Sequence, residues 1–113
     1  DPYKVCVETI NGYLDYMEVN LSKSYSKRFY FGVPAPLLEG KNKDELDFKR
    51  IDLIKYYNLI LKKEVLSKGS YFLDVYELTS NKYGENNKKF FCDRIHLSPR
   101  CLSILFENHL YTP

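Results

Sequence analysis

Two short apolar runs, residues 28–33 and 71–76, flank one amphipathic helical stretch at 48–66, and that order restricts the fold more than any other feature of the chain. Arg28-Phe29-Tyr30-Phe31-Gly32-Val33 and Tyr71-Phe72-Leu73-Asp74-Val75-Tyr76 are mostly apolar and rich in aromatic residues, the pattern of buried strands. Between them Ile51, Ile54, Asn58, Leu61 and Val65 fall on one stripe at spacings of three and four, flanked by Leu53, Tyr57 and Ile60. A strand, a helix of this length and a second strand form a crossover that is right-handed and leaves the strands parallel and adjacent. Pro34 and Pro36 carry no amide hydrogen and end the first strand, and Lys68-Gly69 stops the helix.

Apolar residues also recur at Cys6, Ile10, Tyr13, Leu14, Met17 and Leu21, making 3–21 an amphipathic helix with Gly12 as its one weak point. Residues 39–47 and 79–89 read as polar loops. Ser98-Pro99 has the form of a helix start, a capping serine followed by proline at the first helical position, with Leu102, Leu105, Phe106 and His109 or Leu110 as the apolar face. The expected class is α/β, layered, with parallel strands. Two strands are too few for a parallel sheet covered on both faces. Residues 1–113 are therefore expected to be part of one domain whose other strands lie elsewhere, with one sheet face partly bare.

Composition narrows the function classes. The hydrophobic share of 44% and charged share of 28% are those of an ordinary globular chain. No apolar run approaches the ~20 residues of a transmembrane helix. The net charge is only +2, and lysines alternate with acids, as in Lys41-Asn42-Lys43-Asp44-Glu45, so a nucleic-acid partner is not expected. The three cysteines, Cys6, Cys92 and Cys101, lack CxxC spacing and read as buried thiols, not as a disulfide framework or a zinc site. A metal on Cys92, Asp93 and His96 would fit no structural zinc pattern, and no cofactor is expected.

The segment that carries chemistry is Asp93-Arg94-Ile95-His96. Functional groups of an open α/β sheet collect beyond the carboxyl ends of its strands, where the chain after Tyr76 runs. A serine hydrolase needs an imidazole to take the nucleophile's proton and a carboxylate to fix the imidazole's tautomer, and three residues of irregular chain let an aspartate reach Nδ1. The pair follows a strand and a long loop, precedes Leu97-Ser98-Pro99, and stands just before the terminal helix. In this it resembles the Asp-x-x-His block of the SGNH (GDSL-type) hydrolases. Gly32-Val33-Pro34-Ala35-Pro36 is similar to that family's strand-end proline segment, Tyr57-Asn58 to its helix, and Phe72-Leu73-Asp74-Val75-Tyr76 to its last strand.

The resemblance covers about 28–110 and is tightest from Tyr71 onward. It implies a fragment of a three-layer α/β/α flavodoxin-like domain, the C-terminal portion of an esterase or lipase, with His96 as general base and Asp93 as its orienting carboxylate. The family's serine, in a Gly-Asp-Ser-like block, has no match here, and neither do the glycine and asparagine blocks of its oxyanion hole. An ester substrate would thus be processed only once an N-terminal half is supplied. The alternative is a non-catalytic α/β binding or interaction module in which Asp93 and His96 tie a loop. Among other polar residues, Asn58 is expected to be a core hydrogen-bonding amide, Asp74 to satisfy backbone groups at a strand end, and His109 to sit near a helix C-terminus.

Overall fold

The computed structural model describes residues 1–21, 27–38, 43–90 and 97–113. Along the chain run α1 (Pro2–Leu21), β1 (Phe29–Phe31), α2 (Glu45–Ser67), β2 (Tyr71–Leu73), α3 (Val75–Thr79), α4 (Cys101–Asn108) and β3 (Leu110–Tyr111). β1 and β2 pair in parallel, Phe29 opposite Tyr71 and Phe31 opposite Leu73, with α2 as the crossover. This is the arrangement that the strand–helix–strand order predicts.

The central strand divides two cores because successive residues of a strand point to opposite faces. Phe72, fully buried, joins Ile10 and Leu14 of α1, Leu61 and Val65 of α2, and Tyr30. Leu73, also fully buried, joins Val75 and Leu78 of α3 and Cys101 and Leu105 of α4. Helices therefore cover both faces of β2. The expectation of a partly bare face holds only at β1, where Phe29 is 41% and Phe31 51% exposed.

Three expectations need correction. The sheet is mixed, not wholly parallel: Leu110, expected on the last helix, lies in β3, which pairs antiparallel with β2, Leu73 opposite Leu110 and Phe72 opposite Tyr111. The second strand stops at Leu73 because the Asp74 side chain accepts from the Glu77 amide at 2.9 Å and starts α3, so Val75 and Tyr76 are helical. Ser98 does not cap α4 with its side chain. Its carbonyl accepts from the Cys101 amide in a turn, and Arg100 precedes the helix.

α2 begins at Glu45, earlier than the apolar stripe alone predicts. Asp44 and Asp47 form a reciprocal capping box, each carboxylate accepting from the other's amide, at 2.9 and 3.2 Å. Its buried stripe is Ile51, Asn58, Leu61 and Val65.

Asn58 is the core amide that the sequence predicts, and its bonds define the end of β1. Val33 donates to Oδ1 at 2.7 Å, and Nδ2 donates to the Val33 and Ile54 carbonyls, each at 3.0 Å. The side chain behaves toward Val33 as a neighbouring strand would. Gly32 is required beside it, since a Cβ there would stand 2.7 Å from Asn58 Oδ1 and 2.9 Å from Phe72 Cζ. Asn58→Leu is expected to lower unfolding stability by about 2–3 kcal/mol, because both polar groups of Val33 lose their partner. Urea unfolding followed by circular dichroism measures it; a loss under about 0.5 kcal/mol would mean that water replaces the amide without penalty.

Candidate functional site

Asp93 and His96, the acid–histidine pair of the sequence, lie outside the described residues, as do Phe91 and Cys92. The structure describes what brackets them. The Ser98 amide donates to the Phe90 carbonyl, so the chain leaves and re-enters this segment at one point. Phe90 and Leu97 both pack against the core cluster of Leu73, Val75, Leu78, Cys101 and Leu105. The Arg100 guanidinium donates to the Lys89 carbonyl and lies over the Phe90 ring, 5.4 Å from its centroid.

The approach to that segment is tied to the strand-end prolines through a buried polar network. Thr79 Oγ1 accepts from the Ala35 amide at 2.9 Å and donates to the Val75 carbonyl at 2.7 Å. Asn86 donates through Nδ2 to the Ala35 carbonyl and through its amide to the Pro36 carbonyl, both at 3.0 Å. Thr79 and Asn86 are buried, at 0% and 4% exposure, and every one of these bonds replaces water that a buried group has lost. The residues following the first parallel strand are thereby held against the loop following the second. Nothing in the sequence marks this pairing: Ala35 and Asn86 are remote in the chain, and the partner groups on 35 and 36 are backbone.

A different acid–histidine pair is assembled within the described residues. Glu77 Oε1 accepts from His109 Nδ1 at 2.6 Å, and Glu77 Oε2 accepts from the Tyr111 hydroxyl at 2.8 Å. Lys62 Nζ lies 3.2 Å from the centroid of the Tyr111 ring, and the Asp74 amide donates to the His109 carbonyl at 2.9 Å. His109 is at the end of α4, as its place in the sequence predicts. Its partner Glu77 is 32 positions away, and no spacing rule could find it.

Burial raises the Glu77 carboxyl, but the hydrogen bonds from His109 and Tyr111 outweigh it and hold the group below its ordinary value. The Tyr111 hydroxyl, bonded to that carboxylate, is pushed up to about 12. Asp74 is raised by burial, against the pull of the Glu77 amide. The geometry is a clasp: a carboxylate on α3 grips His109 at the end of α4 and Tyr111 of β3. It can orient an imidazole, but among the described residues no serine or cysteine is bonded to that ring.

The signs of these shifts set the pH response. A depressed carboxyl stabilises above its ordinary value and loses that contribution as pH falls through its folded value, so Glu77 weakens the clasp in acid. Asp74, raised, works in the opposite sense, its contribution present in acid and lost as pH rises. Tyr111 contributes below pH 10.0 and loses its contribution as pH rises through about 12. Tyr111→Phe is therefore expected to cost about 1 kcal/mol at neutral pH and to make the alkaline fall in stability shallower than in the wild type. Urea midpoints for both proteins between neutrality and that alkaline limit check it; parallel curves would show that the hydroxyl–carboxylate bond contributes nothing.

Cys6 and Cys101 are free, buried thiols, as their spacing predicts, and burial pushes the Cys101 thiol up. Among the described residues no cluster of three or more His, Cys, Asp or Glu side chains could hold a metal ion, and no helix is long and apolar enough to cross a membrane. No protein-family model, curated protein or solved structure matches the chain. Among the described residues the fold is a mixed α/β arrangement of four helices and a three-stranded sheet, and that is the class it defines.

Proposed function

We propose that the chain is the C-terminal portion of a serine ester hydrolase of the SGNH type, with a flavodoxin-like α/β/α architecture in the whole domain. In this reading His96 is the general base, Asp93 holds its Nδ1, and the nucleophile and oxyanion donors come from an N-terminal half. The observation that supports it best is the parallel β1–α2–β2 unit, together with the anchoring of Phe90 and Leu97 on the core that continues from β2. A base that must meet a nucleophile at a fixed distance needs such a rigid frame on both sides.

A second reading is favoured by the antiparallel β3 and by the closed core between β2 and α4. There the chain is a non-catalytic α/β module, and Asp93 and His96 tie a loop as Glu77 and His109 tie the C-terminus. One experiment separates the two. The protein is produced with the sequence encoded upstream of Asp1 and assayed on a short-chain aryl ester, with an organophosphonate to trap an active serine. Saturable turnover and labelling of an upstream serine in the longer protein, with neither in residues 1–113 alone, is the result expected. Serine-dependent turnover by residues 1–113, or an inert longer protein, would overturn the hydrolase reading.

A further inference from the structure

The outer edge of β1 is built to accept another strand. Arg28 accepts from the Tyr71 amide at 2.8 Å and Gly32 donates to Leu73 at 2.9 Å, so residues 28, 30 and 32 turn their backbone groups toward β2. Alternation then turns the amides and carbonyls of Phe29 and Phe31 the other way, where the described residues supply no strand. Val33, the next residue facing that way, is already bonded at both N–H and C=O by Asn58, which marks where the open edge stops. The edge positions carry neither lysine nor proline, the residues that commonly protect a free strand. Beside it runs a groove of about 450 Å³ lined by residues of α1, α2 and β1, among them Tyr13, Met17, Tyr57 and Phe31.

From this we infer that residues 1–113 associate as a twofold dimer through β1, the strand of one copy running antiparallel to that of another about Tyr30. Phe29-Tyr30-Phe31 reads the same in both directions, so each Phe29 faces a Phe31 of the second copy. Because both carry outward-facing backbone groups, each such pair exchanges two N–H···O bonds, and Tyr30 meets Tyr30 as the non-hydrogen-bonded pair between them. The half-exposed phenylalanines become cross-strand aromatic pairs. Charge permits the register: Lys27 and Arg28 of one copy stand opposite Val33 and Gly32 of the other, and Arg28 is already paired with Glu18 at 2.8 Å. A parallel pairing of the same strands would instead bring Lys27 and Arg28 of the two copies side by side. The inference concerns this chain by itself and does not rest on the hydrolase reading.

Sedimentation velocity over a concentration series tests it, with two variants. Phe31→Pro removes an amide that points away from β2 and so spares the β1–β2 ladder. Phe31→Lys keeps the amide and places charge on the edge. The wild type is expected to show a concentration-dependent monomer–dimer equilibrium, and each variant to weaken it by about tenfold or more with an unchanged circular dichroism spectrum. If Phe31→Pro unfolds, Phe31→Lys alone decides. A wild type that stays monomeric at every concentration, or a dimer of undiminished affinity in a folded variant, would overturn the inference.

Discussion

His96→Ala, made in a longer protein carrying the N-terminal half that the hydrolase reading proposes, is expected to lower kcat/KM for a short-chain ester by about a thousandfold or more. In the proposed hydrolase reading the imidazole both removes the nucleophile's proton and returns it to the leaving alcohol, and neither the carboxylate of Asp93 nor the guanidinium of Arg94 is a side-chain type that exchanges protons readily near neutrality. Asp93→Asn is expected to have a smaller effect, since the asparagine still occupies the position but no longer enforces the tautomer with Nε2 free to accept. Both variants should unfold at the wild-type urea midpoint, because the core contacts that flank the segment are made by Phe90 and Leu97. The comparison is informative as a pair. Full activity in His96→Ala would reduce the Asp93–His96 spacing to a structural tie, and equal loss with a shifted unfolding midpoint in both would point to a folding role.

Phe72→Ala is expected to cost about 3–5 kcal/mol of unfolding stability, a large share of the ~5–15 kcal/mol typical of a domain. Phe72 is fully buried at the centre of the sheet, flanked by Tyr30 on the parallel side and Tyr111 on the antiparallel side, and its ring fills the space between α1 and α2. Removing it leaves a cavity among Ile10, Leu14, Leu61 and Val65, around which the packed helices relax only in part. The matched control is Phe31→Ala on β1. That ring is 51% exposed, and its loss is expected to cost under about 1 kcal/mol in the monomer. Urea unfolding of the two variants at low protein concentration tests both figures. Comparable losses would mean that the edge strand and the central strand are not as different in packing as the burial indicates.

How much of this was legible in the sequence depends on how local the cause is. The stripes of α1 and α2 were readable because a helix repeats its own signal over several turns, and Cys6, Ile10, Leu14, Ile51, Leu61 and Val65 all bury where the period puts them. The burial of Asn58 was readable too, since an amide on an otherwise apolar stripe must find partners. Boundaries were less so. Asp47 looks like loop composition, yet it closes a capping box, and Asp74 looks like the middle of a strand, yet its carboxylate ends β2 and starts α3.

By itself the sequence determined the strand–helix–strand unit and its parallel sense, because a crossover of that length permits little else. Only the tertiary structure decided that Leu110-Tyr111 would join the sheet antiparallel and not extend α4, since two residues carry no period and their ladder partners belong to β2. It alone brought Glu77 to His109 and Tyr111, and Thr79 and Asn86 to the carbonyls and amide of residues 35 and 36. Those contacts form between elements distant in the chain, after packing has excluded water and left each buried polar group only the partners the fold supplies.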